Sequence, residues 1–231
     1  MRIKLGLRLN SASVGKRYSS MKVFSMLREH LRKRFDQPDG LDKSDLIFVL
    51  AGHSNRKVFG AKLFRDGWAP RVLLSTGDPP YIARLLNKEI MGDSRRNAQV
   101  WTRVLETAKS SSPLEGHYFA GLDDSEWSVE PIPVRFFGTL SEIKALGRWL
   151  QRRPAIRSLL IVSSGLHLER VRICCHKLLP PVCRFRLAAV PADIEDLSPN
   201  ARKREREGFD RVLLECCKIA LYRGILAVLR K

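Results

Sequence analysis

Residues 45–77 read DLIFVLAGHSNRKVFGAKLFRDGWAPRVLLSTG, and this segment decides the fold. It contains two short apolar runs, at 45–50 and 71–76, each followed by a glycine turn, which is typical of strands buried on both faces of a parallel sheet. Between the runs, apolar residues recur at helical spacing, with Asn55 as a candidate N-cap and Gly67 at the helix end. The segment therefore predicts a strand, a helix and a second, parallel strand.

The alternation of strand and helix patterns continues through the rest of the chain. Thr139 and Glu142 form a capping-box pattern, in which hydroxyl and carboxylate accept hydrogen bonds from main-chain N–H groups at a helix start. Regular alternation of this kind predicts an α/β fold, with a Rossmann-like, doubly wound, mostly parallel sheet and helices on both faces. The other expected elements are a helical stretch in 81–110, strands at 117–120, 133–137, 158–163 and 185–190, a helix after 165 and a long amphipathic helix at 205–229.

The chain of 231 residues has 42 Lys and Arg against 24 Asp and Glu, a formal net charge of +18. We expect a basic N-terminal extension with a first helix at 1–44 and a single α/β domain at 45–231; Met21 is an alternative start of the ordered protein. The charge is spread along the chain, without a block of five or six like charges. It is therefore expected to be mostly surface background, with a few cations in a specific anion site.

Several classes of protein are excluded by pattern. No stretch reaches the roughly 18 uncharged apolar residues of a membrane span, and residues 1–20 lack the apolar core of a secretory signal. A cytoplasmic location is the expectation, with peripheral contact to a membrane left open. The five cysteines predict reduced thiols, because a zinc site built from Cys174, Cys175, His176 and Cys183 lacks the usual ligand spacing.

The turns that follow the predicted strands hold the candidate ligand-binding residues. Ligands of open parallel sheets bind beyond the carboxyl ends of the strands, where helix N-termini also present N–H groups to anions. Arg170 lies in a helix first turn, where its charge opposes the helix dipole, and this favours a bound anion. The residues concerned are Gly52, His53 and Arg56 after the first strand, Ser75 and Gly77 after the second, and Ser164, His167 and Arg170 after the third.

Catalytic signatures give weaker guidance than the turns. Ser164 and His167 are candidates for a nucleophile and a base, although the sequence shows no acid to orient the histidine. Glycine-rich phosphate loops, a nucleophile elbow and zinc-protease motifs are missing from the sequence. A metal held by His53, Asp78 and His167 would need a convergence that the sequence does not show. Whether the chain is an enzyme therefore stays open.

Four segments carry a family resemblance. They are DLIFVLAG at 45–52 followed by Arg56, GWAPRVLLSTG at 67–77, Thr139 with Glu142, and VSSGLHLER at 162–170. In this order they resemble the bacterial family of unknown function typified by YdcF, SanA and ElyC. The resemblance implies a Rossmann-like fold and a role in envelope or exopolysaccharide metabolism.

The same resemblance implies which residues bind a ligand. The implied ligand is an anionic small molecule: a nucleotide-like compound, S-adenosylmethionine, which one relative is associated with, or a phosphorylated sugar carrier. The alternative is a noncatalytic basic protein that binds nucleic acid or an anionic membrane surface. The positions that match the family motifs are Gly52, Arg56, Ser75, Gly77, Thr139, Glu142, Ser164, His167 and Arg170.

Overall fold

A computed structural model describes residues 38–77, 117–123, 126–133, 138–191, 194 and 208–228. These residues form six strands, four α-helices and a short 3₁₀ turn at Gly165–His167. The strands are β1 (Leu46–Val49), β2 (Val72–Thr76), β3 (Tyr118–Asp123), β4 (Glu126–Pro131), β5 (Ser158–Ser163) and β6 (Arg184–Ala189). The helices are α1 (Ser54–Arg65), α2 (Gly138–Gln151), α3 (Leu168–Leu178) and α4 (Gly208–Val228).

The six strands form one sheet in the order β4-β3-β2-β1-β5-β6. Strands β2, β1, β5 and β6 are parallel, whereas β3 is antiparallel to both of its neighbours, β2 and β4. After β1 the chain first forms β2 on one side of it and later returns to form β5 on the other side. The gap between the carboxyl ends of β1 and β5 is therefore the topological switch point of the sheet, where open α/β sheets bind ligands.

Both faces of the sheet are covered, as the apolar character of the central strands requires. Phe48 of β1 points to the face covered by α2, α3 and α4, where Leu146, Val171 and Leu226 belong to the same core. Neighbouring strand residues point to the other face, which α1 covers. Gly60 lets α1 approach the sheet closely, because a Cβ atom there would lie 2.3 Å from Val49 Cγ2. The structure is an α/β fold of the Rossmann-like kind.

Most of the predicted elements that fall in the described residues are confirmed. Strand β5 has the predicted bounds, and β1, β2, β3 and β6 differ from prediction by one to three residues at an end. Gly67 has the expected positive φ of 76°. Strand β4 was not predicted as a strand. The predicted helical stretch at 81–110, residues 134–137 of the predicted strand at 133–137, and all of the expected 1–44 segment except 38–44 lie outside the described residues.

Two predicted helix caps are wrong. His53 is the N-cap of α1, so Asn55 lies inside the helix, where its side-chain amide donates to the main-chain oxygen of Ile194 at 2.7 Å. Helix α2 already includes Gly138, which places Thr139 within the helix rather than at its cap. Within the described residues, no helix combines the length and apolar character needed to cross a bilayer.

Candidate functional site

The turn after β1 is shaped by Gly52 and by the side chain of Arg56. Gly52 has a φ of 109°, and a Cβ atom at this position would lie only 3.0 Å from Arg56 Nη1. The guanidinium of Arg56 donates through Nη1 to the main-chain oxygen of Ala51. Gly52 therefore serves two needs at once, a left-handed backbone and room for the arginine.

Arg56 also bridges the switch point. Its Nε and Nη2 atoms donate to Ser164 Oγ at 3.0 and 2.5 Å, which joins the start of α1 to the residue that follows β5. The arginine is 6% exposed, so this cation lies below the surface in the gap between the two strand ends. The neighbouring Ser163 Oγ is buried and has no hydrogen-bond partner within the described residues.

Lys57 places a second cation under the same turn. Its Nζ donates to the main-chain oxygens of Leu50 at 3.1 Å and Gly52 at 3.4 Å, and the residue is 3% exposed. Burial lowers the pKa of Lys57 to about 7, and the charge of Arg56 contributes to this decrease. The negative charge of Glu142 raises the pKa of Lys57 and so opposes part of this decrease.

A buried carboxylate from α4 organises the residues at the start of α3. Glu215 Oε2 accepts from Arg170 Nη1 at 2.7 Å and lies 3.2 Å from His167 Nδ1, while Oε1 accepts from Lys218 Nζ at 3.0 Å. Arg170 Nη2 lies 3.2 Å from the same ring nitrogen of His167. The charge of Arg170, which the sequence assigned to an anion-binding role, thus already has a carboxylate partner in the protein.

The charges of this group shift the pKa values of its members. Burial would raise the pKa of Glu215, but the hydrogen bond with His167, the charge of Arg170 and the hydrogen bond from Lys218 lower it to about 2. Burial is the largest effect on His167 and lowers its pKa below the usual value; the charges of Arg56 and Arg170 add to this decrease, whereas the hydrogen bond and the charge of Glu215 oppose it. This decrease favours the neutral form of the His167 ring.

Another polar group lies at the carboxyl end of β2. His117 immediately precedes β3, and its Nε2 lies 3.0 Å from Ser75 Oγ and 3.3 Å from Glu142 Oε1. Ser75 and Glu142 are both buried. Because β3 runs antiparallel to β2, its first residue is at the same edge of the sheet as the carboxyl ends of the parallel strands.

The structure brings most of the predicted site residues into two groups. The structure brings together Gly52, Arg56, Ser164, His167 and Arg170 around the switch point, and it brings together Ser75 and Glu142 through His117. Thr139 is hydrogen-bonded to the hydroxyl of Tyr222 on α4. His53 and Gly77 are exposed at this edge, and Asp78 lies outside the described residues.

The chemistry available here is that of anion recognition. Ser164 Oγ accepts from Arg56, and no side-chain hydrogen bond between Ser164 and His167 forms in the described part of the chain, so the two are not arranged as a nucleophile and its base. Among the described residues, no three His, Cys, Asp or Glu side chains are placed to hold a metal ion. Counted over the described residues, this edge holds four basic side chains, Arg56, Lys57, Arg170 and Lys218, and two buried carboxylates, Glu142 and Glu215.

Four residues of this edge were not anticipated from the sequence: Lys57, His117, Glu215 and Lys218. Glu215 had a usable signal, because it is an acid inside the apolar pattern of a long amphipathic helix, where a buried charge needs a partner. The sequence contains no such signal for Lys57 or for His117. A lysine next to an arginine, as at Lys57, is usually interpreted as part of a solvent-exposed pair. Comparison of the chain with protein-family models, with curated proteins and with solved structures found no match.

Proposed function

We propose that the chain binds an anionic small molecule at the switch point between β1 and β5. The observation that carries the proposal is the position of Arg56: a buried guanidinium that joins the turn after β1 to the hydroxyl of Ser164 after β5. Lys57 lies under the same turn, and the cations at this edge outnumber its buried carboxylates. An anion that reaches the turn would meet a charge held in place before binding, which lowers the entropic cost of association.

The ligand classes follow from the same proposal together with the resemblance to the YdcF, SanA and ElyC family. A phosphate group fits a guanidinium that can donate from a fixed plane. The candidates are a nucleotide-like compound, S-adenosylmethionine, whose carboxylate would take the place of the phosphate, and a phosphorylated sugar carrier of envelope or exopolysaccharide metabolism. His167, half-buried beside the switch point, is the residue best placed for proton transfer if the bound molecule is also converted.

Isothermal titration calorimetry with inorganic pyrophosphate, ATP, S-adenosylmethionine and a short polyprenyl phosphate tests the proposal. We expect at least one of these to bind, and Arg56→Gln to weaken binding by about tenfold or more, as loss of a charge-assisted hydrogen bond does. Arg184→Gln is the matched control, because Arg184 is exposed at the first residue of β6, the opposite edge of the sheet.

Two outcomes oppose the proposal. If all four ligands fail to bind, or if the two variants weaken binding equally, the cations at the switch point do not form a site. Equal weakening that also extends to duplex DNA, and that disappears as salt rises, would assign the binding to the dispersed charge of the chain. Thermal unfolding of Arg56→Gln shows whether the variant is folded, and Ser164→Ala provides a milder second variant.

A further inference from the structure

The outward side of α4 is apolar in a chain that is otherwise rich in charge. Between residues 213 and 228, eight exposed positions carry only apolar or small residues; we call them the outer face of α4. Leu214 and Leu221 are 53% and 51% exposed, and Val228 is 74% exposed. The outer face consists of Leu213, Leu214, Cys217, Ala220, Leu221, Gly224, Ala227 and Val228.

The opposite side of α4 packs against the rest of the protein. Ile219, Tyr222 and Leu226 are buried, and Glu215 holds Arg170. The exposed leucines are therefore not an alternative set of core residues. An apolar surface of this length on a soluble helix marks a contact with something else.

The charge around the outer face of α4 argues against a second copy of the chain as its partner. Lys218 and Arg223 flank the outer face on its two sides, and the whole chain carries a net charge of +18. A second copy would bring two such charges and both pairs of flanking cations together, which opposes association. The face is also roughly 24 Å by 10 Å from helix geometry, about 250 Å², against about 800 Å² per partner in a stable dimer.

An anionic bilayer matches both the apolar residues of the outer face and the cations that flank it. A helix that lies in the headgroup region buries its apolar side among acyl chains and leaves its flanking cations among lipid phosphates. We propose that the outer face of α4 docks the protein on the surface of a membrane that contains anionic lipids. Since a helix is about 10 Å thick, Glu215 and the switch-point residues would then lie close above the lipid headgroups.

Vesicle co-sedimentation tests the docking, with vesicles of phosphatidylcholine alone or with about 30 mol% phosphatidylglycerol. We expect binding to the anionic vesicles, and Leu221→Glu should weaken it by about tenfold, since it replaces a leucine that the bilayer would bury with a carboxylate that the anionic lipids repel. Val182→Glu should bind as the unaltered protein does, because Val182 is 75% exposed on the loop between α3 and β6. The two variants make the same change in net charge, so other cations of the chain affect both equally.

Cys217 offers a second measurement on the same face. In a Cys216→Ser background, an environment-sensitive dye on Cys217 should shift to the blue with anionic vesicles only, while burial keeps Cys174, Cys175 and Cys183 from reacting. Equal binding of Leu221→Glu and Val182→Glu would overturn the proposal, as would a dimer in light scattering that Leu221→Glu dissociates. Vesicle binding that depends on Leu221 in a protein that binds none of the four small ligands would leave this proposal standing, which separates it from that of the anion site.

Discussion

Lys57 carries an amine in a place from which solvent is almost excluded. The main-chain oxygens of Leu50 and Gly52 accept from it, and no carboxylate of the described residues lies within ion-pair distance. Burial and the neighbouring Arg56 lower the pKa of Lys57 to about 7. The lysine therefore changes its charge near neutral pH, and the turn after β1 loses one positive charge as the pH rises.

This pKa has a consequence for stability. In the unfolded chain a lysine keeps its proton to about pH 10.5, so between about pH 7 and pH 8.5 the unfolded state binds more protons and stability rises with pH. Relative to Lys57→Met, the unaltered protein should gain about 1.5 kcal/mol over this range in urea unfolding. Lys62→Met, at an exposed lysine paired with Asp66, should keep the pH dependence. Parallel profiles for all three proteins would contradict the assignment.

The residues at the site differ in how far the sequence could predict them. Arg56 and Ser164 were predictable, because the rule that ligands bind beyond the carboxyl ends of parallel strands applies to any chain with readable strands. The partner of Arg170 was not, since Glu215 lies 45 residues away and reaches it only through the packing of α4 on α3. Pairings of this kind depend on tertiary structure, which local patterns do not contain.

At the scale of elements, burial explains which strands could be predicted. Strands β1, β2 and β5 are buried on both faces and therefore read as continuous apolar runs. Strand β4, EWSVEP, lies at the edge of the sheet, where glutamates and a proline are tolerated, so its sequence does not resemble the central strands. The helix caps were wrong because cap patterns fix a boundary only to within a few residues.

Two helical glycines provide a test of how closely the elements pack. A Cβ atom at Gly147 of α2 would lie 2.6 Å from the main-chain oxygen of Leu178 at the end of α3, and a main-chain atom cannot move aside. Gly147→Ala should therefore lower the free energy of unfolding by about 2 kcal/mol. Gly224→Ala, in α4 with nothing within 4 Å, should raise it by about 1 kcal/mol through helix propensity. Urea unfolding measures both, and a gain from both would mean that α2 and α3 are not in close contact.

At the scale of the whole molecule, α4 connects the core to the candidate site. Tyr222 and Leu226 belong to the core on the α2 and α3 side of the sheet, and the Tyr222 hydroxyl is hydrogen-bonded to Thr139. Glu215 of the same helix holds Arg170 and faces His167. Any change in the docking of α4 is therefore felt at the switch point, so a membrane contact on the outer face of α4 and a ligand at the switch point would influence each other.

The link between α4 and the rest of the molecule should be most sensitive to acid. The pKa of Glu215 is lowered to about 2 from an unfolded value of 4.5, so its contribution is complete above pH 4.5 and is lost as the pH falls towards 2. Glu215→Gln should cost about 3 kcal/mol near neutral pH, because it leaves Arg170 buried without its carboxylate, and this difference should shrink below about pH 4. Glu169→Gln is the control, since its pairs with Arg172 and Arg223 are partly exposed and should contribute under about 1 kcal/mol. Chemical denaturation across this pH range measures both, and equal costs for the two variants would show that Glu215 is not the carboxylate that holds α4 in place.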